Sequence, residues 1–422
     1  MTDAPSLRWA AWFGDRDRKA KFPAHWEVRT CAPRGGADIG ERGLRSALAC
    51  PIQSPPLREL ARGRQDAVVV VDDLSRPTPA WRLLPLVLEE LVAGGIPQDK
   101  VRIILGVAAH PPMLRAEIVK KLGRDVAENL SVANHNVFDN TEFLGKTGAG
   151  TPVHINRDFL RAELKICVGS ILPHGGPGFG GGAKLVLPGV AGVETIYQNH
   201  RPDNRFVRGV DRLEGNTMRA DMEEVAAMAG LDFIVNTVVN PRREVAGLFC
   251  GHFIAAHRAG CELARTVYDT AVPQGYDVAI LSAYPKDSDC YQAGTALSPI
   301  RTAVAPVVHD DGTVVVASAG SQGMGEHFLN GPGFRLGVSS ARPEGNATPR
   351  QTTSNRQGME QLLFCENVSE RDVERWGGDS SSLCRTWGEL VRRLRERYGD
   401  RARVALFPCA AMQIVSQTAS SP

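Results

Sequence analysis

Short β-branched runs dominate the first two thirds of this chain, each followed by a polar loop and then by a helical pattern. "AVVVV" (Ala67–Val71) runs into "DDLSRPTP" and then "AWRLLPLVLEELVAGG" (Ala80–Gly95). "VRIILG" (Val101–Gly106) runs into a loop and then "PMLRAEIVKKLG" (Pro112–Gly123). "LKICVGS" (Leu164–Ser170) and "FIVNTVVN" (Phe233–Asn240) are further strand candidates. Runs this uniformly apolar need cover on both faces. Alternation with helices supplies that cover, which predicts an α/β fold with largely parallel sheets.

At 422 residues the chain is too long for one ordinary core. We therefore expect two α/β domains with an active-site cleft between them. "GHFIAAHRAGCELARTVYDTAV" (Gly251–Val272) reads as a long helix, after which the pattern restarts with "DVAILS" (Asp277–Ser282) and "TVVVAS" (Thr313–Ser318). This predicts an N-terminal domain over 1–268 and a C-terminal domain over 273–405. The tail, 406–422, is expected to pack back on the N-terminal domain. The end of the long helix is the hinge candidate for closing the cleft. Residues 338–382 read as surface loop around a short helix, "LCRTWGELVRRLRERYG" as an amphipathic helix and "RVALFP" as a late strand.

Composition excludes several classes. The net charge is +2 and no basic stripe carries interleaved aromatics, so nucleic acid is not the expected partner. No run approaches the roughly 18–20 apolar residues of a membrane span. The N-terminus is broken by charge too early for a signal peptide, which predicts a cytoplasmic protein. Nine scattered cysteines without a Cys-x-x-Cys pair read as reduced thiols, and Cys290 as packing.

The polar residues just after strands carry the chemistry: Asp73 and Arg76, then His110, then His174. In open parallel sheets the carboxyl ends of strands line the binding crevice. His174 also opens "HGGPGFGGGAK", in which six of eleven residues are glycine, and Lys184 closes it. A Walker loop would need Gly-Lys-Ser/Thr at its end and is absent. Gly176, Gly178 and Gly181 satisfy the dinucleotide spacing, but "ILPHG" separates them from the strand. Glycine lets backbone amides approach an anion closely, so Gly178, Gly180, Gly181 and Gly182 are expected to cradle a phosphate or carboxylate. His110, His135, His174 and His200 all lie in polar or loop contexts of this half, and converging histidines point to acid–base work or metal ligation.

"DDLSRPTP", "GVAAHPPM", "NHNVFD", "PHGGPGFGGGAKLVLPGVAGVETIYQNH" and "YPKDSDCYQAGTAL" together resemble the nickel-dependent lactate racemase family and its 2-hydroxyacid racemase and epimerase relatives. The order and spacing match from about Trp12 to Gly325, and more loosely to "FPCAAM". The resemblance implies a nickel-pincer nucleotide, a pyridinium mononucleotide with two sulfur-containing arms, made by dedicated cofactor-biosynthesis enzymes. It implies His200 as the nickel ligand and Lys184 as the lysine to which one arm is joined covalently in some members. His110 and His174 are implied as the acid–base pair, Arg76 as the holder of the substrate carboxylate and Asp73 as a cofactor contact. Tyr291 and Gln292 match a Tyr-Gln pair of the second domain that faces the cleft. The implied partner is a small-molecule 2-hydroxy acid, racemised through temporary oxidation to a flat 2-keto acid.

One position departs. The family usually carries a lysine three residues after the glutamine, where this chain has Thr295. The exchange predicts a substrate bulkier or more polar than lactate. Other readings stay open. The chain could be a nicotinamide-dependent hydroxyacid dehydrogenase or a non-catalytic carrier of the cofactor. Asp73 could cap the helix near Trp81, and Arg76 could be a surface arginine. His135 and Asp139 could be a structural pair. Glu326 and His327 could be a solvated turn, and His252 and His257 packing or hinge residues.

Overall fold

The computed structural model describes residues 4–201, 205–329 and 359–415. The chain forms two compact units, Gly35–Val267 and a second assembled from Met1–Arg34 with Tyr268–Pro422. This differs from the expected division at the N-terminus. Glu27–Thr30 pairs in parallel with Arg403–Phe407, and Ser6–Trp9 pairs with Arg16–Lys19. Near the other end, the Thr270 amide donates to the Ile414 carbonyl. Both chain ends, through Val415, thus belong with the C-terminal half. "EVRT" is a charged edge strand without an apolar run, so only its partner reveals it.

The Gly35–Val267 unit holds a six-stranded sheet ordered Val245–Gly251, Phe233–Val239, Leu164–Ser170, Ala67–Asp72, Val101–Gly106, Ser131–Asn134. Five strands are parallel, and only Val245–Gly251 runs antiparallel to its neighbour. Every residue of Ala67–Asp72 is buried, as its uniformly apolar run requires. The helix Ala80–Ala93 covers the sheet with seven buried residues. From the Ala67–Asp72 strand the chain moves to one side through Val101–Gly106 and Ser131–Asn134. It then returns to the other side at Leu164–Ser170. That reversal opens a crevice beyond the carboxyl ends of Ala67–Asp72 and Leu164–Ser170.

The other unit repeats the plan. Its sheet is parallel throughout and is ordered Leu383–Cys384, Glu360–Phe364, Val308–Ala317, Tyr276–Ser282, Arg403–Phe407, Glu27–Thr30. Trp9, Ile280, Val315, Phe364, Leu390 and Leu406 share one core cluster of this unit.

Two local expectations change. The long helix is shorter than Gly251–Val272 and spans Ala255–Tyr268. Gly251, at φ +123°, closes a strand instead of opening a helix. Of the region read as loop, 338–358 lies outside the described residues, and the remainder contains the strand Glu360–Phe364 and the helix Glu370–Arg375. Among the described residues, no helix is long and apolar enough to cross a membrane.

Candidate active site

The Asp72–Arg76 turn is built by two neighbouring carboxylates with different tasks. Asp72 accepts from the Thr78 hydroxyl at 2.5 Å and from the Ser170 amide at 3.1 Å, which ties two adjacent strands together. Asp73 accepts from the amide and hydroxyl of Ser75 through one oxygen. Its other oxygen lies 2.5 Å from Nδ1 of His110. The helix that follows is capped by Pro79 without a side-chain bond, so Asp73 is not its cap. Burial pushes the Asp73 carboxyl up, but His110, Arg76 and the Ser75 hydroxyl outweigh it and hold the group below the ordinary carboxylate range. A carboxylate at Nδ1 fixes the proton there and leaves Nε2 of His110 bare when the ring is neutral.

Lys121 was not singled out from the sequence, because a lysine on an amphipathic helix reads as solvated. It is fully buried. Its ammonium donates to Asp72 Oδ1 at 2.6 Å, to the Asp73 carbonyl at 2.9 Å and to the Arg76 carbonyl at 3.0 Å. Both ends of the turn are thereby pinned to one cation. Arg76 lies over Ser75, with Nη1 donating to that residue's carbonyl at 3.1 Å and its hydroxyl at 2.7 Å.

His174 stands on the short hairpin Pro173–His174 with Pro177–Phe179, opposite Gly178. Its Nδ1 accepts from the Gly176 amide at 3.1 Å. A neutral His174 therefore carries its proton on Nε2, the tautomer opposite to that of His110.

Lys184 sits in the 3-10 turn Gly182–Leu185 and keeps only part of its surface accessible. Burial, then the charges of Arg76 and Arg219, push its amine well below the ordinary lysine value, against a smaller pull from Asp73. His200 ends the helix Val193–His200, and its Nδ1 donates to the Ile196 carbonyl at 3.1 Å. Burial, Lys184 and Arg208 push His200 down to about 3, so at neutral pH it is an uncharged imidazole with Nε2 bare. Asp73, Arg76, His110, Lys184 and His200 thus act on one another within one unit.

Two of the four glycines expected to cradle an anion have their amides engaged elsewhere. The Gly180 amide donates to the Leu172 carbonyl at 2.7 Å, and the Gly182 amide to Asn236 Oδ1 at 2.6 Å. Both are occupied within the protein and are not free for an anion. Glycine is required at Gly178 because a Cβ there would meet the Arg212 carbonyl oxygen at 2.3 Å. At Gly182 a Cβ would meet the His257 ring at 2.9 Å, and both residues have positive φ. The dinucleotide spacing of Gly176, Gly178 and Gly181 falls on a hairpin and a 3-10 turn, not on a strand–turn–helix unit.

The remaining histidines separate cleanly. His135 donates from Nε2 to the Ala191 carbonyl at 2.9 Å and accepts from Asn156 at 3.1 Å. Burial pushes it down to about 4, which marks a neutral structural tie, and Asp139 bonds instead to the Asn140 amide. His257 donates to the Gly180 carbonyl at 2.8 Å, so it braces the glycine stretch. His252 stacks on Phe253.

In the other unit, Asp289 caps the helix Cys290–Ala293 by accepting from the Gln292 amide at 2.7 Å. Tyr291 packs against the rings of His327 and Trp376. The Thr295 hydroxyl donates to the Gln292 carbonyl at 2.8 Å, so its proton is engaged locally.

Comparison with known proteins finds lactate racemases similar to this chain in sequence and in fold. Residues 13–206 match the family model described as the lactate racemase N-terminal domain. The chain is 29% identical over 390 residues to a lactate racemase of Lactiplantibacillus plantarum, covering 86% of this chain and 88% of that one. It is 32% identical over 290 residues to a lactate racemase of Thermoanaerobacterium thermosaccharolyticum, covering 67% and 66% respectively. The fold matches the lactate racemase apoprotein of the latter organism with a TM-score of 0.73 at 24% identity, over 98% of this chain and 99% of that one.

Proposed function

The chain belongs to the lactate racemase family, and from that premise we propose that it racemises or epimerises a 2-hydroxy acid with the aid of a nickel-pincer nucleotide. The observation that carries this reading is the pair of histidines held in opposite tautomers, His110 by Asp73 and His174 by the Gly176 amide. Inversion at a hydroxylated carbon requires one group that takes the hydroxyl proton and one that returns it.

The residues present fit such a cofactor. Among the described residues, no group of three or more His, Cys, Asp or Glu side chains could hold a metal. A metal brought in by a cofactor that supplies its own donor atoms needs only one further ligand from the protein. His200 would add one imidazole nitrogen, a donor that suits nickel, with its ring orientation set by the Ile196 carbonyl. Lys184 would offer to an acyl-type arm an amine whose protonation is disfavoured by burial and by the charges of Arg76 and Arg219. When bound, the nickel-pincer nucleotide supplies a reversible acceptor for the hydride at C2 of the substrate.

The chain's own residues do the rest. Arg76 is anchored through Nη1, which leaves Nε and Nη2 for the substrate carboxylate. Nε2 of His110 takes the hydroxyl proton, and the Asp73 carboxylate stabilises the imidazolium that forms. His174, in its imidazolium form, returns a proton from Nε2 to the carbonyl oxygen and is left a neutral imidazole. In the reverse reaction neutral His174 takes the hydroxyl proton and His110, as the imidazolium, returns it. Tyr291, Gln292 and Thr295 select the substrate's side chain. Because the Thr295 hydroxyl donates to Gln292, the lysine-to-threonine exchange favours bulk over added polarity.

The test is intact mass with nickel content for the chain expressed beside the cofactor-making enzymes. We expect added mass that disappears in Lys184→Ala, and about one nickel per chain that disappears in His200→Ala. Neither signal in the wild type, with the synthesis enzymes active, would overturn the cofactor assignment. Net oxidation that requires added NAD would favour the dehydrogenase reading instead.

A further inference from the structure

Arg219 lies in the first turn of the helix Thr217–Met228 and is 1% exposed. Its Nε donates to the Pro177 carbonyl at 3.2 Å, Nη1 to the Gly181 carbonyl at 3.2 Å, and Nη2 to the Phe179 carbonyl. Among the described residues, no ion pair or hydrogen bond joins it to a carboxylate. Glu223, the nearby acid, instead bridges Arg258 at 2.8 Å. A charge buried this way is costly, and an apolar side chain of similar volume could fill the space. What a guanidinium adds is a rigid fork that can hold several acceptors at once.

Those acceptors all lie in the glycine stretch, where backbone freedom is greatest and ordering most expensive. Neighbouring side chains complete the grip. Asn216 donates to the Gly176 carbonyl at 2.9 Å and His257 to the Gly180 carbonyl at 2.8 Å. Five carbonyls between Gly176 and Gly181 are thus held by three side chains. One of them leads directly to Lys184: the Gly181 carbonyl that accepts from Arg219 also accepts from the Lys184 amide at 3.2 Å.

We propose that Arg219 is the positioning residue for Lys184, fixing through the Pro177, Phe179 and Gly181 carbonyls the turn from which that amine is presented. The proposal rests on the role given to Lys184 above. The charge of Arg219 acts in the same direction, as one of the two cations that disfavour protonation of Lys184. Around that amine stand Arg76, Arg219, Asp73 and His200.

The experiment uses the full chain without cofactor, pulsed with acetic anhydride at pH 7.5. Peptide mass spectrometry reads acetylation of Lys184 against exposed Lys100 as internal standard. Arg219→Met is expected to lower the Lys184/Lys100 ratio about tenfold, because the turn loses the fork on three carbonyls that places the amine. Arg219→Lys keeps the charge but cannot span three carbonyls, and is expected to lower the ratio as well. Thermal midpoints confirm folding, and if Arg219→Met does not fold, Arg219→Lys decides alone. A wild-type ratio in a folded Arg219→Met protein overturns the proposal. So does full recovery in Arg219→Lys, which would make the charge, not the placement, responsible. Failure of the cofactor reading shows separately, as missing nickel and added mass in the co-expressed wild type, and leaves the acetylation comparison intact.

Discussion

Ala67–Asp72 and Tyr276–Ser282 are both inner strands with parallel neighbours on either side, and each is followed within a few residues by a buried aspartate. The two units use those aspartates differently. Asp287 accepts from the amides of Ala10 at 2.7 Å and Ala11 at 3.2 Å, so it ties the N-terminal segment into its own unit. Asp289 caps a helix. Each of these carboxylates closes a structural need. In the Gly35–Val267 unit, Asp73 holds His110, Lys184 and His200 are partly buried with their charged forms disfavoured, and Arg219 is buried against backbone carbonyls. Perturbed ionisable groups gathered in one unit are the physical ground for calling it a candidate site.

The comparison breaks first if the histidines of that unit prove structural. His110→Ala and His174→Ala are expected to slow racemisation by about 100- to 10,000-fold, the usual range for general acid–base help, with thermal midpoints near wild type. A lowered midpoint with unchanged rates would move both residues into the scaffold. Lys121→Met is expected to act the other way. It leaves Asp72 buried without its ammonium, a change that typically costs about 3–5 kcal/mol. Urea unfolding would read that loss directly.

Acid titration sharpens the contrast, because the two aspartates have opposite slopes. Asp73 is held below the ordinary carboxylate range, so its contribution is present at neutral pH and is lost only as pH falls below about 4. Burial lifts Asp287 to about 6 from 3.8, against the pull of the Ala10 and Ala11 amides. A carboxyl raised in the fold binds its proton more tightly than the unfolded chain does. Stability from Asp287 is therefore complete below about pH 4 and declines as pH rises through about 6, by roughly 1.4 kcal/mol per unit at most. Asp287→Asn should flatten that part of the urea-derived stability curve and leave the acid limb below pH 4 in place.

The legible parts of the fold were those in which one local signal decides. The Ala67–Val71, Val101–Gly106 and Leu164–Ser170 runs are largely apolar, broken only by Arg102, Lys165 and Ser170, and became inner strands. Val245–Gly251 was hidden by its glycines, and Glu27–Thr30 by its charges, because edge strands need only one covered neighbour. In the candidate site, Asp73, Arg76, His110, Lys184 and His200 stood out by type and spacing. Lys121 and Arg219 did not, since a cation on a helix carries no sign of burial in the sequence. The glycines were visible, but their cause was not. Gly182 faces His257 from 75 positions further along, a contact that no local pattern announces.

The smallest effect concerns Thr295, to which the proposed function gives a part in substrate selection. Its hydroxyl donates to the Gln292 carbonyl one turn back. Thr295→Val removes that bond from a partly buried site and should cost about 0.5–1.5 kcal/mol in unfolding experiments. If Thr295 selects by the space it leaves, the Thr295→Val variant should keep the wild-type order of preference among 2-hydroxy acids, since valine has nearly the same shape. Thr295→Lys should instead shift the ratio of kcat/KM values toward small substrates such as lactate, because the long side chain occupies that space and adds a charge. A changed preference in Thr295→Val with none in Thr295→Lys would assign selection to the hydroxyl. It would also show that the second unit's polar groups contribute more than scaffold chemistry.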